Sequence, residues 1–164
     1  MDIVEGIKQI TTVLNDYLKP FGLVAEMDYE FAYYWESDLI TFSLLDIPEA
    51  SNLFLLDAES RFPQIKAPFF IWALHHEIGH NCTYDDLSEE EIAESYAIKN
   101  KILETEEHSD NDKMLYYTCP DEYAATDWAG NYIMTHQERI AKMWNVVSDI
   151  IRQLKESYDD EERS

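Results

Sequence analysis

The residues His76, Glu77, Ile78, Gly79 and His80 concentrate more chemistry than any other five in the chain. In a helix, positions i and i+4 share a face, so His76 and His80 present two imidazoles to one point in space. Glu77, beside the first of them, reaches a water held by the same ion. This His-Glu-x-x-His spacing is that of helical zinc sites in which the glutamate is the general base. The competing reading is a pair of hydrogen-bonded core histidines. It is the costlier one, because two imidazoles and a carboxylate on one buried face leave several polar groups needing partners.

Catalytic zinc takes a third protein ligand and keeps a fourth position open. His108 and His136 lie 28 and 56 residues beyond His80, so neither follows it on a short loop. A carboxylate is the better candidate, and Asp121, Glu122 and Asp127 stand together further on. Glu122 falls one turn inside a helix opened by Pro120, with Ala125 and Ala129 on nearby faces. Those alanines are small enough for close packing against the histidine helix, with Trp128 and Tyr132 bracing the outer side. Cys82 falls off the metal-facing side and reads as a buried thiol. Cys119 reads as a loop cysteine, and His75 points away from the metal. Tyr116, Tyr117, Tyr123, His108 and His136 are the residue types that could stabilise an oxyanion.

In His76, Glu77, Gly79 and His80, followed by Glu122, Ala125, Trp128 and Ala129, the chain resembles the ImmA/IrrE group of zinc metallopeptidases, within the broader gluzincins. The apolar run from Phe69 into His75 is similar to that family's approach to the first histidine. The resemblance spans roughly residues 69–134. It implies one zinc per chain, held by His76, His80 and Glu122, with Glu77 as catalytic acid/base. It also implies a compact α+β fold with a small sheet next to the active-site helix, and a regulatory protease acting on a protein partner. Thr126 departs from the Asn or Asp common in the family, so Asp121 or Asp127 is expected to orient a histidine instead. The Tyr132–Thr135 end lacks the family's proline.

The elements that must position these groups follow from periodicity. Ile3, Ile7, Ile10, Leu14 and Leu18 make the apolar stripe of a first helix, which Pro20 and Gly22 stop. From Leu23 to about Leu56, aromatic and β-branched runs such as Phe31–Trp35 and Leu39–Leu44 predict two to four short antiparallel strands. A loop bracketed by Pro63 and Pro68 precedes a helix from Phe69 to about Cys82 that is apolar on nearly every side, hence buried. Ser88 with Glu91 forms a capping box opening a helix to about Leu103. Residues 104–112 read as a loop, Pro120 to about Met134 as a helix, and Thr135 with Glu138 as a second capping box. Ile140, Trp144, Val147, Ile151 and Leu154 face a last helix, and the acidic tail 159–164 is expected to fray. The expectation is a single α+β domain over residues 1–164, dominated by helix after residue 68.

Composition sets the outer limits. With 46% hydrophobic and 13% aromatic residues, 164 residues suffice for a substantial core. Against 12 Lys and Arg stand 34 Asp and Glu, a net charge of −22. That excludes a basic nucleic-acid footprint and attraction to an anionic membrane. Between Asp85 and Glu122 lie 13 acids against three lysines. Most of these acids are a solvated face, though an acidic rim would also select basic polypeptides. No run of about 18 apolar residues and no basic leader with an apolar stretch is seen, and two cysteines make no disulfide framework, so a cytoplasmic location is expected. The leading expectation is a zinc-dependent endopeptidase in which Glu77 activates a zinc-bound water to attack a peptide bond of a protein partner. The alternative is an acidic interaction or inhibitor protein, either a DNA mimic or a regulatory zinc-binding domain, without turnover.

Overall fold

Asp2 starts the chain's first helix by accepting hydrogen bonds from the backbone N–H groups of Val4 and Glu5, which the helix itself leaves without partners. In this computed structural model, which describes residues 1–45 and 52–163, α1 runs Ile3–Leu18 with Ile10, Leu14 and Leu18 fully buried. A single 3₁₀ turn containing Pro20 follows, and Gly22 closes it at φ 70°, a left-handed conformation that disfavours a side chain. Three strands come next, β1 (Val24–Met27), β2 (Ala32–Tyr34) and β3 (Leu39–Phe42).

The sheet order is β1-β3-β2, with β2 antiparallel and β1 parallel to β3. The expected all-antiparallel sheet is therefore corrected to a mixed one. The reason is burial. Ile40, Thr41 and Phe42 of β3 are buried, whereas three of the four β1 residues are exposed, so the most apolar strand takes the centre. Since β2 reverses the direction of β1, and β3 reverses it again, β1 and β3 run the same way when they become neighbours.

The chain then enters α2 (Leu53–Arg61), where extended structure was expected to reach Leu56. Asn52 caps this helix by accepting from Leu55 N–H, and Arg61 pairs with Asp57 one turn back at 2.9 Å. Residues 46–51 of the expected strand region lie outside the described residues. Pro68 caps α3 (Phe69–Thr83), which buries nine of its 15 residues, as its all-round apolarity requires. The Ser88–Glu91 capping box opens α4 (Glu89–Leu103) with both of its hydrogen bonds formed. The loop expected over 104–112 is shorter than that, because Ser109 and Asp112 build a second capping box and start α5 (Asp110–Thr118). Then come α6 (Pro120–Thr135) and α7 (Gln137–Arg163). The Thr135 hydroxyl bonds back to the Asn131 and Tyr132 carbonyls at the end of α6. The acidic tail does not fray as expected: α7 continues through it to Arg163.

The molecule is 72% helical with seven α-helices and one small mixed sheet among the described residues, an α+β fold dominated by helix. Two compact units can be distinguished. One comprises α1, the sheet and α7. There α1 packs on both β1 and α7, Gly6 lies against the Leu154 side chain, and the Arg139 guanidinium donates to the Tyr17 carbonyl. The other holds α2–α6, and its core is the pairing of α3 with α6. Among the described residues no helix is long and apolar enough to cross a membrane.

Candidate metal centre

The α3–α6 pairing begins with what α3 lacks. A Cβ on Gly79 would overlap the Ala125 carbonyl oxygen and stand 3.0 Å from the Ala125 Cα and carbonyl carbon. Glycine at that position, and buried Ala125 and Ala129 on the facing helix, let the two backbones touch. This is the close packing expected of the alanines. Further along α6, Gly130 gives the same access to the Phe62 ring, which also packs on Trp72 of α3.

That approach carries Glu122 to the histidines. Its Oε2 lies 2.6 Å from His76 Nε2 and 2.9 Å from His80 Nε2, with Glu122 only 4% and His76 5% exposed. The imidazole rings stand at 87° to each other with centroids 4.7 Å apart, so both nitrogens address the same carboxylate oxygen. The three residues form a group whose donor atoms lie within 4.8 Å of one another and could hold a metal ion. Two neutral imidazoles and a carboxylate are the donor set of a zinc site with an open position. The structure thus brings together all three expected ligands. Burial works against ionising Glu122, but the neighbouring imidazoles hold its carboxyl well below the ordinary range. His80 shows the reciprocal effect: burial disfavours its charged form, yet Glu122 keeps its pKa above the usual value. Glu77, half-buried on the same helix, has its carboxyl pushed up by burial, against the pull of His76 and His80.

Orientation of His76 comes from a residue that the sequence pointed away from. His76 Nδ1 lies 2.8 Å from Thr126 Oγ1, a hydroxyl with no exposure at all. With Nε2 donating to Glu122, a neutral His76 accepts from that hydroxyl at Nδ1; with Nε2 on a metal, the Nδ1–H would donate to it, so the same contact orients the ring in both cases. The expectation that Asp121 or Asp127 would do this is corrected: Asp127 is exposed, and Asp121 is engaged elsewhere. Phe54 of α2 adds an edge-on contact to the His76 ring, centroids 5.0 Å apart.

The outer side of Glu122 is held by a lysine. Lys99 on α4 donates to Glu122 Oε1 at 3.0 Å and to Asp121 Oδ2 at 2.5 Å. Asp121 also accepts from the Glu122 backbone N–H and from the Cys119 thiol. One carboxylate oxygen is therefore committed to a cation and the other is left for the histidines. Burial, together with the negative charge of the nearby Glu122 carboxylate, raises the pKa of Tyr116. The Lys99 ammonium also stands over the Tyr116 ring at 5.1 Å. Nothing in local sequence marked Lys99, since its role depends on how α4 packs on α6. The only hint was its place as one of two lysines, with Lys101, on a helix that carries four glutamates.

The remaining candidates are placed as follows. His75 points off the metal face, donating from Nδ1 to the Ile71 carbonyl and stacking on Tyr132, which in turn stacks on Trp128. Cys82 is outside the cluster, its thiol pKa raised by burial. Cys119 is buried between α5 and α6 with its thiol pushed up to about 12 by burial and by Asp121. Tyr123 lies under the Arg61 guanidinium at 4.2 Å, and Tyr117 contacts Phe54. No family model matches the chain, and no curated protein or solved structure shows significant similarity to it.

Proposed function

We propose that the chain is a zinc-dependent metallo-endopeptidase of the kind its resemblance to the ImmA/IrrE group implies, with a protein or peptide as substrate. The observation that carries this reading is the convergence of His76 Nε2, His80 Nε2 and Glu122 Oε2 on one point, with Glu77 on the same helix. Zinc in that group would polarise a peptide carbonyl and lower the pKa of a coordinated water. Glu77 takes the proton released as water attacks, then delivers it to the leaving amine. Its carboxyl pKa, raised by burial against the pull of His76 and His80, moves in the direction that suits a group that must both accept and return a proton. Thr126 keeps the His76 ring in register, and Lys99 holds the outer oxygen of Glu122.

A second reading, an acidic interaction protein with a structural or regulatory zinc, draws on the net charge of −22. Zinc content and peptide hydrolysis separate the two. Elemental analysis should find about one zinc per chain, strongly reduced in His76→Ala, His80→Ala and Glu122→Ala. Glu77→Gln should keep the metal and lose hydrolysis by at least 100-fold, the scale of general-base catalysis. Wild-type protein free of zinc would end both readings. Full activity in Glu77→Gln would end the first, as would a partner inhibited equally by mutant and wild type.

A further inference from the structure

Two of the three lysines of the acidic segment, together with its one histidine, border a single cavity. Between Asp85 and Glu122 the chain carries 13 acids, three lysines and one histidine. A cavity of about 290 Å³ in the α2–α6 unit is lined by Lys99, His108 and Lys113, and by none of those acids. The rest of its wall is apolar or aromatic, including Ile102, Tyr116 and Tyr117. The cavity is linked to the His76–His80–Glu122 group through Lys99, which lines it and donates to Glu122 Oε1 at 3.0 Å. Lys99 is neutralised there by Asp121 and Glu122, whereas Lys113 and His108 form no ion pair among the described residues.

We propose that this cavity is a substrate subsite for a carboxylate, presented by a peptide held at the His76–His80–Glu122 group. The inference rests on the metallopeptidase reading and names its substrate class. An ammonium and an imidazole bordering apolar walls attract an anion more strongly than they would in open water. The aromatic and aliphatic wall accepts the methylene stem that carries the charge. A carboxylate fits better than a phosphate dianion, because the 13 acids of the segment repel a second negative charge. Long-range attraction and local choice then have opposite signs: the field of the whole chain gathers basic polypeptides, and the cavity picks an acidic group within them. That group is either an acidic side chain or a chain terminus.

The test measures binding to the zinc-loaded full chain by calorimetry. Its probes are acetohydroxamate and a pair of longer hydroxamates, succinic and adipic, each ending in a carboxylate or in the matching carboxamide. The carboxylate form should bind about tenfold more tightly than the carboxamide at one of the two lengths. The ratio should fall to near one in Lys113→Gln with His108→Gln, two exposed positions where substitution spares the fold. It should persist in Lys101→Gln, a lysine outside the cavity. Equal affinities at both lengths, or a ratio that survives the double substitution, would overturn the subsite. A zinc-loaded protein that fails to bind even acetohydroxamate would instead bring down the open metal site, and the subsite with it. Displacement of the carboxylate probe by an amidated peptide containing Glu assigns an acidic side chain. Displacement only by a peptide with a free C-terminus assigns a chain end, and displacement by neither refutes the proposal.

Discussion

Substituting alanine for Gly79 should disable the candidate metal centre without touching any of its three proposed ligands. The added Cβ would stand 3.0 Å from two Ala125 backbone carbons, where ordinary contact begins at 3.4 Å, and it would overlap the Ala125 carbonyl oxygen. Because the obstacle is helix backbone, α6 must retreat by at least 0.4 Å, the difference between those two distances. Glu122 lies three residues from Ala125 on the same helix and moves with it. Metal sites tolerate departures of about 0.2 Å in ligand distance, so zinc affinity should fall by more than about tenfold. Overpacking costs about 1–3 kcal/mol and the better helix propensity of alanine returns up to about 1. A net loss of about 1–2 kcal/mol corresponds to a Tm lowered by about 2–8 °C for a chain of this size.

Gly6→Ala is the internal control. Its Cβ would approach the Leu154 methyl groups at 2.7 Å, but these are the free end of a flexible side chain that can swing aside. That variant should keep its zinc affinity and change in stability by less than about 1 kcal/mol. Zinc competition with a chromophoric chelator and thermal melts monitored by circular dichroism provide both readouts. Wild-type zinc affinity in Gly79→Ala would refute the claim that backbone contact between α3 and α6 sets the position of Glu122.

Thr126→Val removes the hydroxyl facing His76 Nδ1 at nearly constant volume, and should weaken zinc by about 10–100-fold while Thr126→Ser restores it. After removal of metal by a chelator, Tm should fall as pH rises above about 6.5. His80 has a folded pKa above the usual 6.5 because Glu122 overrides the effect of burial, so its contribution is complete below about pH 6.5 and is lost as pH passes the raised value. Adding zinc should reverse that trend, since protons then compete with the metal; a flat metal-free profile would refute the His80–Glu122 coupling. Finally, the acids should differ in sign by position. Glu91→Ala breaks the capping box at the start of α4 and should cost about 1 kcal/mol, whereas neutralising Glu104, Glu106 and Glu107 at its far end should leave or raise Tm in urea and thermal melts.

What could be read in the fold was whatever depends on neighbours along the chain. The 3.6-residue stripe of α1, the all-apolar α3 behind Pro68 and the Ser88–Glu91 box each specify a helix from local chemistry, and each appears with nearly the expected ends. Two helices were missed where the cue was shorter. The cap Asn52 before Leu53 and the Ser109–Asp112 pair are complete N-terminal signals, but each precedes only nine residues with no strong apolar period. The order of the sheet depends on nothing local. Alternation along β1, β2 and β3 says which face is buried, whereas the choice of β3 as central strand is a competition among the three for burial.

The metal centre divides along the same line, and the division explains why Thr126 was misjudged. His76, Glu77 and His80 are linked by helical geometry, so their convergence follows from spacing alone. Glu122 needs two helices in contact, and its cue was indirect: small residues at Gly79, Ala125 and Ala129 that make sense only if backbones touch. Once they touch, position 126, one turn beyond Glu122, faces α3 with no room to spare. A carboxylate there would be a second buried anion beside Glu122, with Lys99 already shared between Glu122 and Asp121. A hydroxyl meets the same hydrogen-bonding need of His76 without the charge. Thr126 and Lys99 are therefore two parts of one arrangement: the lysine beside the group is already shared by Glu122 and Asp121, and a neutral hydroxyl at position 126 orients His76 without needing another. Thr126→Asp tests that coupling directly. It should destabilise the metal-free protein more than Thr126→Val does, because it adds a second buried carboxylate beside Glu122 while Lys99 is already shared by Glu122 and Asp121. Equal Tm values for the two variants would break the link between Lys99 and the choice of a hydroxyl.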